Sequence, residues 1–209
     1  MLDCELRPGS QHTQKGMPAF IRSLVGRLRQ IQPNGRFLFR LDSGNDALET
    51  IDAIMGAGIG YYCIIKRNKR RESEEKWLKM AKRNGKRTEP RKGKKVWVGR
   101  ARINPHKEDL YCIYEVIERK SDSAGNQFLI PEIEVNSWWT NLSSDAEEVI
   151  SLYHDHATSE QFHSELKHDL GVERLPSGKL AVNKILLAVA MNAYNALRLL
   201  GQHSVVSRT

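Results

Sequence analysis

The spacing of apolar positions along the chain shifts from helical to strand-like and back again. From Pro18 to about Gln32, residues Phe20, Leu24, Val25, Leu28 and Ile31 recur at the spacing of one face of an amphipathic helix. Before it, "MLDCELRP" reads as a short strand, followed by a loop punctuated by Pro8, Gly9 and Gly16. "GRFLFRLD" is a compact apolar run bounded by Gly35 and the turn-forming "SGND", which predicts a buried strand ending at Asp42. Asp46 and Glu49 have the spacing of a capping box for a helix to about Met55, and "GIGYYCIIKRN" predicts a second buried strand. Strand, helix and strand in this order predict a parallel pair with a right-handed crossover.

After Arg67 the pattern turns polar, with one helix around Glu74–Arg83 and a flexible "NGKRTEPRKGKK" behind it. From Val96 to Leu142 it becomes strand-like: "KVWVGRA", "DLYCIYEVIER", "NQFLIPEIEV" and "SWWTNL", the middle pair joined by a "KSDSAGN" turn. This reads as a β-rich insertion. Helical periodicity resumes at Ser144–His154, Thr158–Leu170 and Leu180–Leu200. The last of these is the most apolar run of the chain, but Asn183, Lys184, Asn192, Asn195 and Arg198 interrupt it, so a buried helix fits better than a membrane span.

At 209 residues and 40% hydrophobic, the chain has material for one sizeable core with an elaboration and is too polar for a membrane protein. The formal charge is +8, and 15 of the 33 Lys and Arg lie between Lys66 and Lys95. Clustered basicity points to a polyanion, most simply nucleic acid, beside the plainer reading of a solvated Lys-rich surface. Cys4, Cys63 and Cys112 lie far apart with no CxxC pair, which argues against a zinc ribbon or disulfide framework and for a reducing cytoplasm. Asp3 and Glu5 follow Met1 with no basic and apolar regions of a signal peptide.

The chemistry concentrates in "YHDHATSEQFHSELKHDLGVERLP", residues 153–176, which holds four of the seven histidines. At about 100° per residue, Tyr153, His156, Glu160, His163 and Lys167 fall near one line if the segment is a single helix, with Phe162, Leu166 and Leu170 on a separate stripe. A carboxylate beside His and Lys suits phosphate chemistry, since the acid can hold a divalent metal while the cations meet phosphates. An ordinary amphipathic helix with intrahelical ion pairs has the same spacing, so spacing alone leaves both open. Asp42 ends a strand, where open α/β sheets place ligand-binding groups, and reads equally as a turn or cap residue. His154 and His156 are too close to share a helix face and no Cys joins them, which weighs against zinc.

"LRPGSQHTQKG", "RLDSGNDA" and "YHDHATSEQFHSELKHDLGVERLPSGKLAVN" resemble the later two-thirds of a bacterial insertion-sequence transposase of the DDE group, which has an RNase H-like catalytic core. The resemblance covers almost the whole chain. The family signature Tyr-x2-Arg-x3-Glu-x6-Lys is met at Tyr153, Glu160 and Lys167, with His156 where the pattern usually carries Arg. It implies three carboxylates binding two divalent ions, Mg²⁺ or Mn²⁺, that cut and rejoin DNA at element ends, with Asp42 as the second carboxylate and Glu160 as the third. It also implies phosphate contacts from Tyr153, Lys167 and residue 156, where histidine lacks the guanidinium fork. In related transposases a Trp of the insertion can stack on a flipped base. Trp138 or Trp139 is the candidate here, beside plain strand packing.

The family's first catalytic Asp lies on the first core strand, ahead of the "CELRPG" segment, and Asp3 does not match it. The expected fold is therefore α/β, a partial RNase H-like core lacking its first strands, with "RFLFRLD" exposing an apolar edge. The expected segments are 1–67, core with the second Asp; 68–95, basic linker and helix; 96–142, β-rich insertion; and 143–209, helices with the catalytic Glu. The expected function is the C-terminal portion of a DDE transposase, cytoplasmic and nucleoid-associated, inactive alone. Its expected partners are double-stranded DNA and an N-terminal transposase segment or an intact transposase, with a homodimer in the complete enzyme and no membrane. The alternatives are a non-catalytic regulator of an intact transposase and a basic nucleic-acid-binding module.

Overall fold

The first helical stripe forms α1 (Met17–Ile31), which buries Ile21, Val25 and Leu28 and leaves Ile31 exposed. A computed structural model of the chain describes residues 2–68, 72–103, 108–155, 157–172 and 174–206, with backbone alone at 157–160, 163, 205 and 206. After α1 come β1 (Phe37–Leu41), a short 3₁₀ turn at Ser43–Asn45, α2 (Leu48–Met55) and β2 (Tyr61–Lys66). β1 and β2 pair in parallel, Phe37 opposite Tyr61 through Leu41 opposite Ile65, as the strand–helix–strand order requires. α3 (Glu74–Asn84) follows, capped by the Ser73 side chain, which accepts from the Lys76 N–H.

The charged stretch expected to be flexible is instead ordered. It forms β3 (Lys86–Arg91), a turn through Lys92 and Gly93, and β4 (Lys94–Ala101). Gly93 has φ +80°, which a side chain rarely tolerates, and Ser121 leaves no room for one. β5 (Tyr111–Ser121) and β6 (Gln127–Thr140) complete the sheet. The two segments "NQFLIPEIEV" and "SWWTNL" are one strand, because the β5 ladder runs unbroken from Tyr111 to Arg119 across both.

The order is β1-β2-β6-β5-β4-β3, with all pairs after the first antiparallel. The strands of the expected β-rich insertion extend the β1–β2 sheet directly, Ile65 lying opposite Trp139. Alternation splits each strand between two faces. Tyr61, Cys63 and Ile65 of β2, with Cys112, Tyr114, Val116 and Trp139, meet α1, α2 and α3 in the larger core. Ile64, Ile113 and Trp138 meet Val149 of α4 (Ala146–His154) on the other face.

Two compact units divide the chain, Thr13–His154 and Met1–His12 with Asp155–Thr209. The second unit contains α5 (Ala157–His168) and α6 (Leu180–Val206), which pack through Leu166, Leu187 and Tyr194. "MLDCELRP" forms no strand among its described residues. Cys4 and Leu6 pack on that helical cluster instead, which satisfies their apolar character without a ladder. α6 is less buried than expected, with Ile185, Val189, Leu197, Leu199 and Leu200 exposed. By length and composition alone it could cross a membrane.

Candidate active site

β1 ends at Leu41 and the chain turns at once. Asp42 caps the 3₁₀ turn from an extended conformation, and its Oδ1 accepts from the Gly44 N–H at 3.1 Å and from Asn45 Nδ2 at 2.8 Å. A short carboxylate side chain reaches the amide two residues on, which is why Asp favours such turns. Both bonds fall on one oxygen of an exposed side chain. Oδ2 has no partner among the described residues, so a hard oxygen donor stands open at the end of a fixed strand.

Two further residues pin this turn from outside. Thr13 Oγ1 donates to the Gly44 carbonyl at 3.0 Å, and Gln14 Nε2 donates to the Asp46 carbonyl at 3.2 Å. The Asp46 carboxylate accepts from Trp139 Nε1 at 2.9 Å and from the Asn68 N–H at 2.8 Å. It is therefore not the cap expected for α2. Ala47 occupies that position without a side-chain bond, because donors from β6 and the end of β2 already hold Asp46. Sequence reasoning missed this role, since the partners lie 22 and 93 residues away.

Trp138 is 1% exposed and Trp139 8%. Both indoles are core side chains here, the packing alternative weighed beside base stacking. Trp138 lies against Tyr153 with ring centroids 5.7 Å apart. Trp139 carries the Arg67 guanidinium 4.4 Å from its ring centroid. Tyr153 is half-buried in α4, on the face of the sheet that also carries Leu38. Arg40 of β1 donates to the Leu152 carbonyl at 2.8 Å and so ties that helix to the strand bearing Asp42.

The stretch 153–168 is not one helix. α4 stops at His154 and α5 starts at Ala157, so the five-residue line drawn on a single helix does not hold. Glu160 and Lys167 remain together on α5, seven residues and about two turns apart. Lys167 is exposed. The side chains of Glu160 and His163, and the whole of His156, lie outside the described residues. Asp42 and Tyr153 belong to the larger unit, Glu160 and Lys167 to the smaller.

Among the described residues no group of three or more His, Cys, Asp or Glu gathers closely enough to hold a metal ion. Burial pushes the Cys63 thiol up to about 12 and that of Cys112 to about 11, so neither supplies a thiolate to a soft metal near neutral pH. Asp42 offers oxygen, the donor that Mg²⁺ and Mn²⁺ take, and to that extent the site fits these ions. On α3 the exposed Lys76, Lys79 and Arg83 have no carboxylate partner among the described residues, so their positive charge is left uncompensated there.

An α/β sheet with a carboxylate at a strand end defines a class of ligand-binding and catalytic folds. Within that class, residues 1–208 match the family model described as Transposase DDE domain group 1, and the chain belongs to that family. No curated protein matches the sequence.

Proposed function

We propose that this chain serves the metal-dependent cleavage and joining of DNA ends, with Asp42 and Glu160 as two metal-holding carboxylates and a further one from a segment other than these residues. The observation that carries the reading is the Asp42 carboxylate, with one oxygen fixed by the turn and the other open at the end of β1. Bound there, Mg²⁺ or Mn²⁺ would supply Lewis-acid stabilisation of charge on the reacting phosphate. The Gly44 and Asn45 hydrogen bonds keep the Asp42 carboxylate in one orientation, so little reorganisation is needed when a cation arrives. Lys167, Tyr153 and residue 156 are the proposed phosphate contacts, and the exposed cations of α3 add sequence-independent attraction.

A second reading is favoured by the outer side of β1, which pairs with no strand among the described residues. Here the chain acts as a DNA-binding regulator that pairs with an intact transposase through that edge. One set of experiments separates the two. The purified chain should bind duplex DNA with an affinity that falls with salt at a log–log slope of several units. A binding constant indifferent to salt would rule out both readings. Adding a separately expressed segment with the first carboxylate should bring Mg²⁺-dependent cleavage that Glu160→Gln abolishes. No cleavage in that mixture favours the regulator, and robust cleavage by the isolated chain refutes the shared-site arrangement.

A further inference from the structure

The β3–β4 turn and the β5–β6 hairpin lie side by side at one end of the sheet. The Lys120 N–H donates to the Gly93 carbonyl at 2.8 Å, and the Arg91 guanidinium donates to the Ser121 and Asp122 carbonyls at 3.0 and 2.6 Å. The hairpin ladder is irregular at this point. Arg119 lies opposite Glu132 and Ser121 opposite Gln127, so Lys120 alone faces the four residues Phe128, Leu129, Ile130 and Pro131. The surplus of three residues is larger than an ordinary two-against-one bulge, and Pro131, which cannot donate to a ladder, sits inside it. Its side chains stay in water. Leu129 is 100% exposed, Ile130 78% and Phe128 38%, and none of the three joins a hydrophobic cluster of the described residues.

The surroundings are basic. Lys92, Lys94 and Lys120 have no carboxylate partner among the described residues, and Arg91 donates only to neutral oxygens. Arg119 lies between Glu132 and Glu134 and compensates one of their two charges, so that excess and Asp122, hydrogen-bonded to Asn126, set two acidic charges against the four cations. An apolar finger of four residues is too small for a stable protein interface, which needs about 800 Å² from each partner. It is the right size for a wedge into a duplex, where apolar side chains unstack a single base step and cations on the phosphates supply most of the affinity.

We propose that this end of the sheet docks on duplex DNA, with Phe128, Leu129 and Ile130 wedged at a base step and Arg91, Lys92, Lys94 and Lys120 on the flanking phosphates. The proposal rests on the transposase reading for its ligand, and it assigns the base contact to the bulge rather than to the buried Trp138 and Trp139. Arg91 and the Gly93 carbonyl fix the end of β5 opposite the bulge, at Lys120 to Asp122.

The test uses the full chain and short duplexes carrying 2-aminopurine, which brightens when unstacked, at successive positions. Wild type should raise the fluorescence several-fold at one or two adjacent steps. Leu129→Ser with Ile130→Ser should abolish that rise while lowering affinity by roughly tenfold or less and leaving the salt slope unchanged. Both side chains are exposed, so the circular dichroism spectrum should not change. Lys92→Gln with Lys120→Gln should instead reduce the salt slope by about two. Salt-dependent binding without a fluorescence rise, or a rise that survives the double serine variant, overturns the wedge and leaves the transposase reading standing. Absence of any salt-dependent binding overturns both. A dimer without DNA that the serine variant converts to monomer would show that a second copy occupies the bulge, and would also overturn the proposal.

Discussion

β3 and β1 close the same sheet at its two edges with opposite chemistry. β3, "KRTEPR", is exposed along almost its whole length, with four charged side chains and Pro90. Charge and proline repel an incoming strand, so this edge can face water safely. β1, "FLFRL", has no such guard. Phe37, Phe39 and Leu41 pack on the larger core, Leu38 on the smaller, and the guanidinium of Arg40, its one charged residue, is turned to the Leu152 carbonyl. Among the described residues, one edge carries charge and proline and the other an apolar run, and the apolar edge is the one that leads into Asp42.

Hydrogen exchange should show the largest contrast. Among the described residues β1 pairs on one side only, so those of its amides that point away from β2 should exchange at least about a thousandfold faster than Cys63 to Ile65 in β2. Sedimentation should show self-association through the same edge. A monodisperse monomer with uniform protection from Phe37 to Leu41 would mean that another segment covers it, and the comparison would collapse.

Substitution should separate the edges next. Phe39→Lys puts a charge against the larger core and should cost about 2–3 kcal/mol in urea denaturation, whereas Thr88→Lys on β3 should stay within about 0.5 kcal/mol. Equal losses would show that the two edges contribute alike.

A smaller effect is expected where β1 meets its turn. Trp139→Phe keeps the aromatic ring but leaves the Asp46 Oδ1 without its indole donor, at a cost of about 1–2 kcal/mol. It should also shift the amide resonances of Ser43 to Asn45, because Asp46 anchors that turn. Its counterpart on β3, Arg87→Gln, breaks an exposed pair with Glu89 and should cost about 0–1 kcal/mol.

The smallest effect lies outside the sheet and serves as its control. The Tyr194 hydroxyl, then Gln161, hold the Glu165 carboxyl below the usual carboxylate range, with Arg198 nearby. A depressed folded-state value means the stabilisation is present above the unfolded value of about 4.3 and is lost as pH falls through the folded one. Acid should therefore loosen the α5–α6 pairing, and Glu165→Gln should flatten that dependence in a thermal melt followed by Tyr194 fluorescence. An unchanged acid profile in the variant would remove Glu165 from the account.

Local pattern alone located α1, β1, α2, β2, α3, β4 and β5, because each buries a stripe or alternation that the sequence displays. The apolar character of "RFLFRLD" was legible for the same reason, and so was the placing of Asp42 at a strand end, whereas the exposed edge was implied only by the family resemblance. β3 was not legible. It has no apolar alternation, and it becomes a strand only because the Gly93 turn folds it back onto β4. The union of "NQFLIPEIEV" and "SWWTNL" was hidden by Pro131, which the bulge tolerates where the ladder could not.

The sequence by itself determined which segments are apolar enough to be buried and which residue types carry the chemistry, since periodicity and side-chain chemistry are local properties. Only the tertiary structure decided that the expected insertion continues the β1–β2 sheet, that Asp46 answers to Trp139 and Asn68 rather than capping α2, and that both tryptophans are core. These outcomes depend on strand pairings and hydrogen bonds between residues up to 93 positions apart. Pattern along a chain reports the face a residue shows, not the partner it meets there.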